Sequence, residues 1–307
     1  MEYNNFIKEV VEELKKFYGE DYEVEVTEQE INYDTSYDGL VIKDKNGNTS
    51  PVFQLTALYN RITSIDLDEG ETEVSLCVEY IKEYYTGERG IEMKKKHDAF
   101  EASTHDFEKI KDCVVFTLLN KENNEKYLNN LVHYDFEGTE LVVGFEIDNA
   151  EMCKMITTKL MNEYGVTLED LKALAIVNTP RIRKAFCISL SEIMEELGWT
   201  EEKEKKLNKQ GVKKEADHMY FISTEDRFKG AVAVLYPGYL ESIAKQLEDD
   251  LLLVFTDVHE VFVARKKDYS ENIKILAKGA MAEYNFEYLS DKVYLYDRNK
   301  KIITVFE

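Results

Sequence analysis

Apolar residues at the start of the chain recur at intervals of three and four, which is helical spacing. They are Phe6, Val10, Val11, Leu14 and Phe17. Because Gly19 follows as a stop signal, the pattern predicts an amphipathic helix that ends there. Apolar and polar residues then alternate, and Asn46-Gly47, a dipeptide favoured in hairpin turns, separates two apolar runs. We therefore predict antiparallel strands after this helix, and a second amphipathic helix over residues 72–85.

The middle of the chain carries both strand and helix signals. Two apolar runs around Glu137-Gly138 predict paired strands, and helical spacing over 151–177 predicts helices. The TLED sequence at 167–170 is a capping box, which indicates that a helix begins there. We predict that this helix runs to Ile176 and is terminated by Pro180.

The last 90 residues alternate regularly between apolar runs and amphipathic stretches. Predicted strands cover 219–224, 231–236, 250–255 and 260–265, with a closing hairpin over 293–306. Predicted helices cover 238–247 and 270–281, and a further helix is predicted before this part of the chain, over 190–197. Hairpins and helices without regular strand–helix–strand crossovers favour an α+β fold over a doubly wound α/β sheet.

We predict two α+β subdomains, built of antiparallel hairpins packed with helices, and a connection between them. The first subdomain covers residues 1–150 and is acidic. The connection, over 151–217, is predicted to be helical and to contain a mobile Lys/Glu-rich segment at 200–217. The carboxyl-terminal subdomain covers 218–307.

Acidic residues outnumber basic ones in the 307-residue chain by 61 to 39, which gives a formal net charge of −22. Residues 1–150 contain 34 acidic and 15 basic residues, a net charge of −19. Because nucleic-acid affinity depends largely on Lys and Arg neutralising phosphates, this charge argues against direct nucleic-acid binding. A carboxylate-rich surface attracts basic proteins, so we expect a protein partner and favour a basic one.

Aromatic residues make up 12% of the chain, which is typical of folded proteins rather than disordered ones. The longest apolar runs, such as 231–236 and 251–255, are much shorter than a membrane-spanning helix, so we expect no membrane insertion. The amino-terminal segment lacks the basic region and the continuous apolar region of a signal peptide. We therefore expect a cytoplasmic protein.

The chain contains no sequence motif for a cofactor or a metal. Its cysteines, none of them in a CxxC pair, are Cys77, Cys113, Cys153 and Cys187. We expect them to be buried, reduced thiols. Walker, dinucleotide-binding, GxSxG and HExxH sequences are absent, so no cofactor and no metal site are predicted. Two His-Asp pairs, at 97–98 and 105–106, are interpreted as parts of a solvated loop.

The turn between two predicted strands carries the candidate site, which comprises Asp257, His259 and Glu260. A carboxylate beside an imidazole holds its tautomer and raises its basicity, as a general base requires. In the alternative interpretation, Asp257 caps the turn and His259 bonds a backbone group. We favour this alternative because no recognisable nucleophile or metal partner accompanies the histidine. Arg181 and Arg183, after Pro180, are predicted to be solvated on a surface connection.

Several segments resemble an uncharacterised bacterial family. They are YDGLVI at 37–42, VTLEDLKALAIVNTP at 166–180, and the stretch from VAVLYPGYLESIAKQLEDDLLLVFTDVHEVFV through SDKVYLYDR at 232–298. That family is known only as a domain of unknown function and is common in anaerobic Firmicutes. The carboxyl-terminal stretch is also distantly similar to a second uncharacterised bacterial family. The resemblance covers most of the chain and implies a bacterial cytoplasmic α+β protein, but it supplies neither an activity nor site residues.

The leading hypothesis is a non-catalytic protein-binding module with an acidic amino-terminal half. Its candidate aromatic anchors are Tyr80, Tyr84, Tyr85, Tyr284 and Tyr288. One alternative is a small hydrolase or transferase that uses His259 with Asp257 or Glu260. A second alternative is an inhibitor that mimics the phosphates of DNA and binds a DNA-binding protein.

Overall fold

The computed structural model describes residues 1–32, 35–45, 52–65, 67, 70–196, 198, 218–271, 273, 275, 278 and 287–306. Antiparallel sheets with helices packed on them confirm the predicted α+β fold. The chain divides into two compact units, Met1–Ser103 and Thr104–Glu307. Four predicted features lie outside the described residues, wholly or in large part: the Asn46-Gly47 turn, the segment 200–217, the helix over 270–281 and the candidate anchor Tyr284.

The first unit combines helices with a three-stranded antiparallel sheet. Along the chain its elements are α1 (Tyr3–Tyr18), β1 (Tyr22–Asn32), β2 (Thr35–Asp44), β3 (Val52–Gln54), α2 (Leu55–Thr63), α3 (Glu73–Thr86) and α4 (Glu88–Ser103). The strand order is β1-β2-β3, so the short strand β3 forms one edge of the sheet.

The core of the first unit lies between α1, α3 and the sheet. The predicted face of α1 is confirmed at Phe6, Val10 and Leu14, which are fully buried. Phe17 differs, because its side chain is 53% exposed and the Nζ atom of Lys82 lies 4.1 Å from its ring centre. The spacing of apolar residues therefore predicts the position of the buried face but overestimates its width.

The second unit contains a four-stranded and a six-stranded antiparallel sheet. Its first elements are α5 (Phe107–Ile110), β4 (Val114–Asn120), α6 (Glu125–Leu128), β5 (His133–Asp135), β6 (Leu141–Asp148), β7 (Cys153–Met155), α7 (Thr158–Tyr164) and α8 (Leu168–Ile182). They are followed by β8 (Ala185–Ser189), α9 (Leu190–Glu196), β9 (Met219–Thr224), a 3-10 helix (Gly230–Leu235), α10 (Tyr239–Leu247), β10 (Leu251–Val254), β11 (Val261–Arg265), β12 (Val293–Asp297) and β13 (Ile302–Val305).

Strand β6 is the centre of the four-stranded sheet, and all eight of its residues are buried. It pairs with β4 along one edge and with β5 and β7 along the other, which confirms the predicted strands around Glu137-Gly138. The helical interpretation of the segment that follows is wrong, because Cys153–Met155 forms β7. The Oδ1 atom of Asn149 accepts hydrogen bonds from the backbone N–H groups of Glu151 and Met152. This turn directs the chain back onto β6.

The six-stranded sheet has the order β13-β12-β10-β11-β9-β8. It confirms the predicted strands at 219–224, 250–255 and 260–265 and the closing hairpin. The strand predicted over 231–236 is wrong, because a 3-10 helix occupies Gly230–Leu235. An apolar run without alternation is compatible with any fully buried element. The sequence of this segment therefore does not distinguish a strand from a helix.

Helix α8 begins at the predicted capping box at 167–170, in which both reciprocal hydrogen bonds form. Its predicted end is wrong, because the helix continues through Pro180 to Ile182. The Oγ1 atom of Thr179 accepts a hydrogen bond from the backbone N–H of Phe116 in β4, at 2.9 Å. Contacts of this kind with the sheet hold the last turn of the helix in spite of the backbone hydrogen bond that proline removes.

The boundary predicted at residue 150 lies in the turn between β6 and β7, inside the second unit. The described part of the predicted connection supplies β7, α7, α8, β8 and α9 to that unit. The boundary between the two compact units follows Ser103. No helix in the described part of the chain is both long and apolar enough to cross a membrane.

Candidate functional site

Asp257 lies in the connection between β10 and β11, and its side chain binds the backbone of its own turn. It is 4% exposed, and its Oδ1 atom accepts a hydrogen bond from the backbone N–H of His259 at 2.7 Å. Burial raises the pKa of Asp257, while the backbone N–H groups of His259 and Glu260 act in the opposite direction. The carboxylate therefore shapes the turn and does not orient the imidazole.

Both ring nitrogens of His259 are occupied. The Nδ1 atom accepts a hydrogen bond from the backbone N–H of Lys229 at 3.1 Å, and Nε2 lies 3.0 Å from the Oε2 atom of Glu287. Because a backbone N–H only donates, Nδ1 carries no proton, and Nε2–H of the neutral ring donates to Glu287. This arrangement leaves no ring lone pair to accept a proton from a substrate. Glu287, 28 positions further along the chain, is the carboxylate that orients the ring.

Glu260 is the carboxyl of this turn that titrates near neutral pH. Burial raises its pKa to about 7, with a further contribution from the charge of Asp257. The guanidinium of Arg227 acts in the opposite direction. Desolvation disfavours a carboxylate, and a second carboxylate nearby adds to that effect. The turn therefore presents two interacting carboxyl groups beside the imidazole.

Residues 225–230 form a loop that packs directly against this turn. Arg227 and Lys229 both have a positive φ, at 55° and 49°, which is uncommon for residues other than glycine. Gly230 N–H donates to the carbonyl of His259 at 3.0 Å, and a Cβ atom at this position would lie 2.5 Å from that oxygen. Only glycine allows so close an approach, so the loop and the turn form one tightly packed pair.

A buried ionic network contacts the same loop through Lys229. The guanidinium of Arg183, which is 2% exposed, donates to Asp148 Oδ2 at 2.7 and 2.9 Å and to Glu146 Oε2 at 2.8 Å. It also donates to the carbonyl of Phe116 at 2.9 Å. The ammonium group of Lys229 contacts the other carboxylate oxygen of Glu146. Two positive and two negative charges thus meet in the interior, where removal of one partner typically costs about 3–5 kcal/mol.

The solvated position predicted for Arg183 is wrong. Arg183 caps the carboxyl end of α8, and this places its side chain between β4 and β6 rather than on the surface. Burial alone would lower the pKa of Arg183, but Glu146 and Asp148 raise it by more. Its neighbour Arg181 is exposed, as predicted.

Cysteine burial differs among the four thiols. Cys77 is fully buried, and burial raises its pKa to about 12. Cys113 and Cys187 are half-buried. The expectation of burial is wrong for Cys153, which is exposed and lies with its Sγ atom 3.6 Å from the Nζ atom of Lys229.

The two His-Asp pairs lie apart from the turn at 257–260 in the chain, and the first of them is not in a loop. His97 and Asp98 belong to α4, and His105 has its Nδ1 atom 3.2 Å from Glu163 Oε2. Within the described ranges, no group of three or more His, Cys, Asp or Glu side chains is arranged to hold a metal ion.

The first unit carries an exposed aromatic groove at the edge strand β3. The rings of Tyr80 and Tyr84 stack with centres 6.1 Å apart, and they are 44% and 38% exposed. Phe53 packs edge-on against Tyr84 at 5.5 Å. The groove has a volume of about 300 Å³, and its lining residues are Val52, Phe53, Gln54, Ala57, Leu58, Arg61, Tyr80 and Tyr84. We call it the Tyr80–Tyr84 groove.

Antiparallel sheets with helices packed on them define the class of the protein, an α+β protein. The chain belongs to a family of unknown function, DUF5688, whose model matches residues 3–298. No curated protein and no solved structure matches the chain.

Proposed function

We propose that this protein is a non-catalytic protein-binding module that takes a basic, extended segment of a partner in the Tyr80–Tyr84 groove. The observation that carries the proposal is the pair of exposed, stacked tyrosines beside the edge strand β3. Among the described residues, no strand pairs with the outer side of β3. An extended segment binds such an edge through its backbone, and exposed aromatic rings are common anchors at protein interfaces.

Charge specifies the kind of partner segment. The first unit contains 24 acidic and 11 basic residues, a net charge of −13. Glu79 and Glu83 are exposed on α3, each next to one of the two tyrosines. A Lys or Arg of the partner gains attraction from these carboxylates and from the faces of the aromatic rings. A partner segment of alternating basic and apolar residues would contact both the carboxylates and the aromatic rings at the groove.

The geometry of the second unit favours binding over catalysis. A hydrolase or transferase with His259 as its base needs a ring lone pair, and hydrogen bonds occupy both nitrogens. The acidic surface also suits the alternative of a DNA-mimicking inhibitor, for which charge rather than the tyrosines would govern affinity. The proposal includes a bacterial cytoplasmic location, which the family resemblance implies.

A peptide titration of the full-length chain tests the proposal. The probe is a fluorescein-labelled peptide of alternating lysine and leucine, and a peptide of alternating glutamate and leucine is its charge-reversed control. We expect saturable binding of the basic peptide alone. We expect about tenfold weaker binding after the double substitution Tyr80→Ala and Tyr84→Ala, because each ring contributes aromatic contact and cation–π attraction.

Phe17→Ala is the matched control, because it removes another exposed aromatic ring of the same unit. It should leave the affinity unchanged. Salt-sensitive binding that is the same in the double variant would contradict the role of the groove and favour phosphate mimicry. The absence of saturable binding to the basic peptide would contradict the proposal as a whole.

A further inference from the structure

We propose that Cys153 and Lys229 form a covalent sulfur–nitrogen cross-link when the protein meets hydrogen peroxide. The two side chains lie on separate elements, strand β7 and the 225–230 loop, with Lys229 Nζ 3.6 Å from Cys153 Sγ. Cys153 is exposed, so a molecule as small as peroxide reaches the sulfur. The site is independent of the Tyr80–Tyr84 groove, which belongs to the first unit.

The amine of Lys229 is held beside the sulfur by its other contacts. Its Nζ atom also contacts the buried carboxylate of Glu146, and its backbone N–H is bound to His259. The lysine side chain is only 18% exposed, so it does not sweep through solvent as a surface lysine does. Two reacting groups fixed at contact distance react far faster than the same groups in solution.

The oxidation begins at Cys153. The thiolate sulfur attacks one oxygen of hydrogen peroxide and the O–O bond breaks, which gives a sulfenic acid (Cys–SOH). The hydroxide that leaves takes up the proton released by the thiol and becomes water. Sulfur is thus oxidised by two electrons and the peroxide is reduced by two.

Condensation with the lysine completes the cross-link. The ammonium group of Lys229 passes one proton to Glu146, and the nitrogen lone pair then attacks the sulfur. The S–N bond forms as the S–O bond breaks, and the departing hydroxide takes a second proton from nitrogen and leaves as water. The product, Cys–S–NH–Lys, retains no oxygen from the peroxide, so the pair has lost two hydrogen atoms. Sulfenic acids are known to condense with nitrogen in this way.

The charges around Cys153 set the pH at which the reaction runs. Although Cys153 is exposed, neighbouring atoms partly desolvate its sulfur, and this effect together with the carboxylates of Glu146 and Asp148 raises the pKa of the thiol, while Lys229 and Arg183 lower it by less. Because the thiolate is the reactive form, the rate should rise about tenfold per pH unit below that pKa.

The chain provides an internal comparison. Cys113 is half-buried, and the cation that lowers its pKa is the guanidinium of Arg181. A guanidinium remains protonated in proteins and has no lone pair with which to attack sulfur. We therefore expect no cross-link at Cys113.

Mass spectrometry of the full-length protein tests the proposal. After treatment with millimolar hydrogen peroxide, the intact mass should fall by about 2 Da, the two lost hydrogens, and should return on addition of dithiothreitol. Because a disulfide gives the same mass loss, a tryptic digest must also yield one cross-linked peptide that contains both Cys153 and Lys229. The yield at a fixed time should rise between pH 7 and pH 8.5.

Two variants complete the test. Cys153→Ser removes the sulfur, and Lys229→Arg keeps a cation for Glu146 but removes the amine; neither should form the cross-linked peptide. In Lys229→Arg, Cys153 should instead carry added oxygen. Circular dichroism of both variants checks that they fold, and the peptide map of the wild type remains decisive if one of them does not. A wild-type product with added oxygen on Cys153 and an unmodified Lys229, or with Cys153 in a disulfide, would overturn the proposal.

Discussion

At the scale of single residues, the protonation of Glu260 makes the stability of the folded protein depend on pH. Its pKa is raised from 4.5 to about 7, first by burial and then by the charge of Asp257. The folded protein therefore holds this proton more tightly than the unfolded chain does. The resulting stabilisation is fully present below about pH 4.5 and is lost as the pH rises through 7.

Substitution of Glu260 by Gln should remove this pH dependence, because the amide resembles the protonated carboxyl and does not titrate. Between pH 5 and pH 8, the free energy of unfolding of the wild type should fall by about 2 kcal/mol relative to that of Glu260→Gln. Urea denaturation of both proteins at the two pH values measures the difference.

Glu12→Gln is the control for this comparison, since Glu12 is exposed on α1. It should show the same pH dependence as the wild type. A Glu260→Gln variant that loses stability between pH 5 and pH 8 as the wild type does would contradict the assignment.

Local sequence predicts a residue's role only where its partners are close in the chain. Asp257 bonds the backbone of His259, only two positions away, and the sequence therefore indicates this turn cap as one of two interpretations. The partners of Arg183 in β6 lie 35 and 37 positions before it, and Glu287 lies 28 positions after His259. No periodicity or motif encodes such distant pairs, which exist only once the sheets have formed.

At the scale of elements, the 225–230 loop and the 257–260 turn depend on one glycine. A Cβ atom at Gly230 would lie 2.5 Å from the carbonyl oxygen of His259 and 2.6 Å from Ser223 Cα. Both are backbone atoms, which cannot move away as the end of a flexible side chain can.

Gly230→Ala should therefore separate the loop from the turn and destabilise the protein by about 2–3 kcal/mol. The effect should appear as a lower urea midpoint and as loss of the hydrogen bond between Lys229 N–H and His259 Nδ1. Nitrogen chemical shifts of the imidazole report that bond directly.

The variant Gly165→Ala distinguishes the free-energy cost of steric crowding from the cost of a left-handed backbone conformation. Gly165 has a φ of 68°, and a Cβ atom added there would have no other atom within 4 Å, so its substitution costs only the left-handed conformation, about 1 kcal/mol. If the two alanine variants lose the same stability, close packing at Gly230 is not the cause.

Sequence patterns predict elements well where one face is buried and the other is solvated. Helices α1 and α3 follow this rule. The patterns fail at 231–236, where every residue is apolar, and at Cys153–Met155, where pairing with β6 overrides helical spacing. They also fail at Pro180, where contacts with β4 outweigh a local stop signal.

At the scale of the whole molecule, each compact unit has buried apolar residues of its own. The first unit contains a cluster that includes Phe6, Val10 and Leu14, and the second contains a cluster around Leu252, Val254 and Val293. Their net charges, −13 and −9, divide the −22 of the chain. A unit with its own core is expected to fold alone.

Fragments 1–103 and 104–307 should therefore each unfold cooperatively in urea when they are produced separately. Fragments 1–150 and 151–307 are the matched control, because that cut separates β6 from β7 and removes Arg183 from Glu146 and Asp148. We expect the second pair to lack a cooperative transition in far-ultraviolet circular dichroism. Cooperative unfolding of the control pair and not of the first pair would contradict the division after Ser103.

The buried network around Arg183 also constrains how this sequence can diverge. Glu146, Asp148 and Arg183 are buried and, with the partly buried Lys229, cancel one another's charge, so a substitution that changes one charge leaves another without a partner. Such a substitution is tolerated only if a second substitution restores the balance of charge. Reversal of one charge alone should therefore destabilise the protein. We therefore expect these four positions either to be conserved or to change together among related sequences. Such a pattern would identify sequences that share this buried network.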